Sequence, residues 1–156
     1  VLLPPPSATD GARGVLINRP LGKPLGDVRE EFSGGLLAEV PLYQGGPVQT
    51  EQLLLAAWQW CAEMGGFKLY FGISAEKAEA MLCEDAELEI RGFVGYSGWG
   101  EGQLEGELAQ EAWVVTPVST TALQRLDDAD MWRAIMMQVR PELVFLVDGP
   151  DDPSQN

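Results

Sequence analysis

Three kinds of chemistry-bearing residue meet in one stretch, Arg91-Gly-Phe-Val-Gly-Tyr-Ser-Gly-Trp-Gly-Glu-Gly-Gln-Leu-Glu-Gly-Glu-Leu108: a serine between glycines, a glycine-rich corner, and a run of glutamates. Gly95-Tyr-Ser97-Gly-Trp99 approaches the G-x-S-x-G nucleophile elbow, but Trp99 stands where the motif needs glycine. The chain also has no histidine, so a serine–histidine–acid mechanism lacks the imidazole that takes the serine proton. Glu101 with Glu105 or Glu107 offers paired carboxylates for general acid–base work. One of them would need a raised pKa in a cleft, whereas the start of a helix favours the ionised form. A glycine corner before a helix can cradle phosphate; here three glutamates follow it, and the nearest upstream cation is Arg91. These residues give a corner and a helix, and no catalytic set.

The rest of the chain adds no cofactor or metal. Asp127, Asp128 and Asp130 are explained as helix-capping acids that complement the dipole, and they lack EF-hand spacing. The absence of histidine removes the usual zinc sites. Cys61 and Cys83 form no C-x-x-C pair and read as free, buried thiols.

The elements that must position the corner follow from periodicity. Phe93–Tyr96 is extended, glycines 95, 98, 100 and 102 form the corner, and a helix starts near Glu101 with Leu104 and Leu108 on one face and Ala112 beyond. Gly106 inside that helix costs about 1 kcal/mol against alanine, a sign of close packing. Trp113-Val-Val predicts a strand apolar on both faces, hence central. Val1-Leu-Leu3 and Gly14–Ile17 predict an antiparallel hairpin across a proline-rich turn. Residues 21–39 are loop-rich with a helical turn around 27–32, and Val40–Gln44 is a short strand before the bend at Gly45-Gly-Pro47.

Gln52–Trp58 is helical by propensity, yet an apolar run bounded by glycines also suits a buried strand. Phe67–Ile73 alternates as a strand. Ser74 caps a helix over 75–83 with Ala75, Ala78, Met81 and Leu82 as its stripe. A last helix repeats Trp132, Ile135, Met136 and Val139 and stops at Pro141 after Arg140. Leu143–Val147 predicts a final strand, and 148–156 a polar tail.

At 156 residues one domain over residues 1–147 is expected, burying about 68–70% of its unfolded surface. No apolar run reaches the ~18 residues of a membrane-spanning helix. A net charge of −14 with only ten Lys and Arg opposes direct nucleic-acid binding. The chain opens at Val1 without a methionine, in what looks like a strand interior, so its true start is expected upstream.

Gly14-Val-Leu-Ile-Asn-Arg-Pro20, Tyr43-Gln-Gly-Gly-Pro-Val48 and Gly95–Leu108 followed by Trp113 resemble, in order and spacing, the AlgH/YqgE family of bacterial proteins. The resemblance covers nearly the whole chain. It implies an α+β fold, with a bifurcated mixed β-sheet curled into a pseudo-barrel and helices packed outside, in a cytoplasmic protein. It favours a strand over 52–58, while the family's opening strand looks cut short here. Some family members carry a transcriptional-regulator label, and the family supplies no agreed catalytic residues.

A binding or regulatory domain is therefore the leading expectation, with a carboxylate enzyme as the alternative. The candidate surface lies where the three segments meet: Asn18, Arg19, Gly45, Gly46, Ser97, Trp99, Gln103 and Glu105. Their mix of polar groups, an Arg and a Trp suits recognition of a protein or small ligand, with neither nucleic acid nor membrane as partner. In the plain structural alternative Arg19 pairs with Glu105 and Trp99 is core. Five tryptophans leave the oligomeric state open.

Overall fold

The computed structural model describes residues 1–3, 11–61, 63, 65–85, 87–118 and 131–142. The strands are β1 (Ala12–Gly14), β2 (Pro20–Pro24), β3 (Pro41–Gln44), β4 (Val48–Cys61), β5 (Gly66–Ile73) and β6 (Glu89–Trp99). The helices are α1 (Leu25–Val28), α2 (Ala75–Glu84), α3 (Gln103–Ala109) and α4 (Met131–Val139), with a 3-10 turn over Glu30–Phe32. The six strands make one mixed sheet in the order β2-β3-β6-β4-β5, with β1 also on β6. β3 and β6 are parallel and the other pairs antiparallel.

β6 is the strand on which the sheet divides. It pairs with β4 through 89–96, with β3 through 92–94 and with β1 through 97–99. The Leu16 N–H donates to the Gly45 carbonyl at 2.8 Å, so β1 takes up where β3 leaves off. The result is the bifurcated, mixed α+β sheet that the resemblance implied. Among the described residues it does not close into the expected pseudo-barrel, and β2 and β5 lie at its two ends.

β4 shows why tertiary context overrides helix propensity. Leu53, Leu55 and Ala57 join the core on one face; Leu54, Ala56 and Trp58 join the core on the other. That is a period of two, apolar on both sides, as a strand between two neighbours requires. The helix favoured by propensity at 52–58 does not form. The first face is covered by Leu25 of α1, Leu37, Val40, and Ala78 and Met81 of α2. The second is covered by Leu2, Val15, and Met131 and Ile135 of α4. Helices thus pack on both sides of the sheet. Ser74 caps α2 as expected, its hydroxyl accepting the Lys77 N–H at 3.2 Å.

Several expectations are corrected. Residues 113–115 form no strand; 112–118 lie exposed and outside helices and strands. The reason is topological: β6 and β4 already have neighbours on each side, leaving no central place. The buried stripe of α4 centres on Met131 and Met136, while Trp132 faces solvent. Leu104 of α3 is buried, but Leu108 and Ala112 are exposed, so the apolar face of that helix is narrower than its spacing predicted. Both cysteines are free as expected, but neither is buried: Cys83 is exposed and Cys61 half-buried. Leu2 bridges Val15 antiparallel, as the hairpin predicted, while the strand itself covers Ala12–Gly14. The Asp127, Asp128 and Asp130 cluster and the strand expected over Leu143–Val147 lie outside the described residues. Among the described residues no helix is long and apolar enough to cross a membrane.

Candidate functional site

The glycine corner is first a crossing of backbones. β3 and β4 flank β6 on opposite edges, and the residues that join them, Gly45-Gly-Pro47, carry the chain across it. A Cβ on Gly45 would stand 2.3 Å from the Gly95 carbonyl oxygen. One on Gly46 would stand 2.3 Å from the Tyr96 carbonyl carbon, and one on Gly95 2.4 Å from the Gly46 oxygen. Such distances exclude a side chain. Gly95 also has φ +71°, a left-handed conformation that breaks the alternation of β6: Val94 faces one core and Tyr96 the other. Gly45 and Gly46 are buried and serve the crossing.

Downstream, β6 ends at Trp99, only 8% exposed, and α3 begins after Gly102, whose φ is +72°. Glycine has no side chain to cap the helix, so Gln103 reaches back, its Oε1 accepting the Gly100 N–H at 3.0 Å. Its Nε2 donates to Glu107 Oε1 at 2.9 Å, one turn on. Glu107 Oε2 accepts two indole N–H groups, from Trp99 at 2.9 Å and Trp113 at 2.7 Å. The two indoles meet edge to face, centroids 5.8 Å apart at 75°.

The helix ends in a left-handed cap at Glu111, with φ 55°. The Glu111 N–H donates to the Leu108 carbonyl and the Ala112 N–H to the Glu107 carbonyl, each at 3.0 Å. This is the hydrogen-bond pattern of the Schellman motif. Glu107 therefore holds the departing chain twice, by its carbonyl through Ala112 and by its carboxylate through Trp113.

The donated hydrogen bonds, from Trp113 first, then Gln103 and Trp99, hold the Glu107 carboxyl below its ordinary pKa against a smaller effect of burial. Glu107 is a fixed carboxylate. It is the opposite of a general acid, which needs a raised pKa.

The other expected site residues take no part in the hydrogen bonds of this clamp. Asn18 and Arg19 are exposed before β2, and the Arg19 carbonyl accepts the Gln44 N–H at 2.9 Å. Among the described residues no ion pair joins Arg19 to Glu105, which lies exposed on α3. Ser97 sits inside β6 opposite Gly14, not at the strand-to-helix turn that a nucleophile elbow requires. The neighbouring face is held by Arg13, whose guanidinium lies over the Tyr96 ring at 5.4 Å. Trp99 and Gln103 thus belong to the clamp and Gly45-Gly46 to the crossing upstream on β6, while Asn18, Arg19 and Glu105 remain at the surface. The sequence reading weighed Glu107 only as one of a pair of catalytic carboxylates and left both Glu107 and Trp113 out of the binding surface. The signal available for Glu107 was its place four residues after Gln103 on the same helical face.

Among the described residues no set of His, Cys, Asp and Glu gathers as a metal ion would need.

Fold and corner together define an α+β protein whose best-marked sequence builds a backbone crossing and a carboxylate–indole clamp. A family model described as AlgH-like matches residues 4–144, so the chain belongs to the AlgH-like family. It is 34% identical over 143 residues to a UPF0301 protein of Thioalkalivibrio sulfidiphilus, covering 87% of this chain and 77% of that one. It is 33% identical over 157 residues to a UPF0301 protein of Streptomyces coelicolor, covering 94% and 80%. Among solved structures it resembles the AlgH protein of Pseudomonas aeruginosa with a TM-score of 0.57 and 26% identity, over 92% of this chain and 80% of that one. A Corynebacterium diphtheriae protein shares the fold with a TM-score of 0.60 at 20% identity, covering 96% and 81%.

Proposed function

We propose that this chain is a non-enzymatic binding domain, acting in the cytoplasm, that presents the corner around Trp113 to a protein or small-ligand partner. Any regulatory role would run through that partner. The observation that carries the reading is the state of Glu107: the most organised polar group of the corner is an ionised carboxylate occupied by three N–H donors. Such a group fixes shape and moves no proton. What it fixes is an indole left 40% exposed at the start of an exposed apolar segment, and aromatic anchors of this kind dominate recognition surfaces.

The test is affinity capture from source-cell lysate with wild type beside Trp113→Ala, both checked for native near-UV circular dichroism. Material held by the wild type and lost by the folded variant supports the reading. Equal retention by both removes the corner from recognition.

A further inference from the structure

The chain beyond α3 is unusual in what it leaves uncovered. Leu108, Trp113, Val114, Val115 and Val118 are all exposed, Val115 at 72%, within one short stretch. Val and Trp favour a paired, half-buried strand, yet among the described residues no backbone hydrogen bond engages Val114 or Val115. The segment is held at its start by polar contacts, the Glu107 clamp and the Schellman cap. Contiguous exposed apolar side chains of this kind mark interaction sites.

The charges carried by α3 and the strip are of one sign, the nearest cation on a neighbouring strand being Arg13 of β1 over Tyr96. Glu101, Glu105 and Glu111 are exposed beside it, and no Lys or Arg occurs from residue 92 to residue 124.

We propose that this strip is the docking surface for a cationic polypeptide segment of a protein partner, one that carries apolar side chains between its Lys and Arg residues. The inference rests on the binding reading above and names its partner class. Apolar side chains of the incoming segment cover Val114, Val115 and Val118, and its cations meet Glu105 and Glu111. Among the described residues the backbone of Val114 and Val115 has no strand partner, which leaves it open to strand addition, in which main-chain hydrogen bonds give affinity and alternate side chains give specificity. A second copy of this chain is disfavoured as occupant, because it brings the same acidic strip and like charges across an interface cost affinity.

The test is selection of binders from a random peptide library on the wild-type chain. It is followed by affinity measurement against Val115→Asp and against Glu105→Lys with Glu111→Lys. These residues are exposed, and near-UV circular dichroism checks that each variant keeps the fold before its affinity is read. Enriched peptides should carry net positive charge and apolar residues, lose about tenfold or more in affinity, or 1.4 kcal/mol, against each variant, and weaken with salt. Enrichment without positive charge, binding unchanged by Val115→Asp, or equal binding by a polylysine peptide without apolar residues would overturn the proposal. If the peptides fail these criteria while lysate capture still depends on Trp113, the corner binds something of another class. If capture is also independent of Trp113, the binding reading fails as well.

Discussion

Trp99 and Trp113 donate their indole N–H groups to the same oxygen, Oε2 of Glu107, at 2.9 and 2.7 Å. One is the buried last residue of β6 and the other opens the exposed strip beyond α3. A single carboxylate thereby ties the end of the sheet to the segment that leaves the helix. Because the tie is electrostatic and lies near the surface, it responds to pH.

The direction of that response follows from the lowered pKa of Glu107. A group ionised more readily in the folded chain contributes stability above its unfolded pKa, about 4.3. That contribution is lost as pH falls through the lower folded value. The melting temperature of Glu107→Gln should therefore lie furthest below wild type near pH 7, and the gap should close below about pH 4. Thermal melts across pH measure it. A gap independent of pH would mean that the ionised form is not what the clamp requires.

The order of causes is testable by itself. The Trp113 N–H lowers the Glu107 pKa most and the Trp99 N–H least among the three donors. Trp113→Phe keeps a ring and deletes the donor, so the Glu107 carboxyl should titrate closer to its ordinary range. Trp99→Phe should move it less. Carboxyl-carbon NMR titration of each variant reads both shifts; the reverse order would assign the clamp mainly to Trp99.

The backbone crossing predicts a large cost at Gly95 and a small one at Gly102. Alanine at Gly95 combines φ +71° with a Cβ 2.4 Å from the Gly46 oxygen. Left-handed strain of about 1–2 kcal/mol and overpacking of about 1–3 kcal/mol together give about 2–5 kcal/mol. Gly102 has φ +72° and nothing within 4 Å, so Gly102→Ala should cost only the strain, about 1–2 kcal/mol. Urea denaturation of both variants makes the comparison. Equal costs would show that the crossing relaxes to admit a methyl group.

What the sequence made legible was local or strongly patterned. Ser74 and the α2 stripe could be read because cap and periodicity lie within one helix. The three glycine-bearing segments carried the family resemblance, and through it the strand at β4 that propensity alone contradicts. What stayed hidden depended on partners distant in sequence. Trp113-Val-Val has the composition of a central strand, and only the filled order of the sheet excludes it. Gly45 and Gly46 read as a recognition surface, but the crossing over β6 buries them. Glu107 read as one helix-start acid among three, because its importance lies in two indoles brought together by the fold.

The left-handed cap offers a stabilising substitution. Glu111 occupies the position after the end of α3 with φ 55°, where glycine is the usual residue because it has no Cβ to crowd the neighbouring carbonyl. Its side chain is exposed, and its N–H bond to Leu108 is made by the backbone, so glycine keeps the motif and removes the strain. Relief of about 1–2 kcal/mol is offset by the larger entropy that glycine loses on folding, about 0.5–1 kcal/mol. The net expectation for Glu111→Gly is a gain of up to about 1.5 kcal/mol, read as a higher urea midpoint with an unchanged slope. Glu111→Ala serves as the control, since it deletes the same carboxylate and keeps the Cβ. If both variants stabilise equally, the gain comes from removing one negative charge from an acidic surface. A gain confined to glycine assigns it to the backbone, and places the turn that launches Trp113 among the strained elements of this fold.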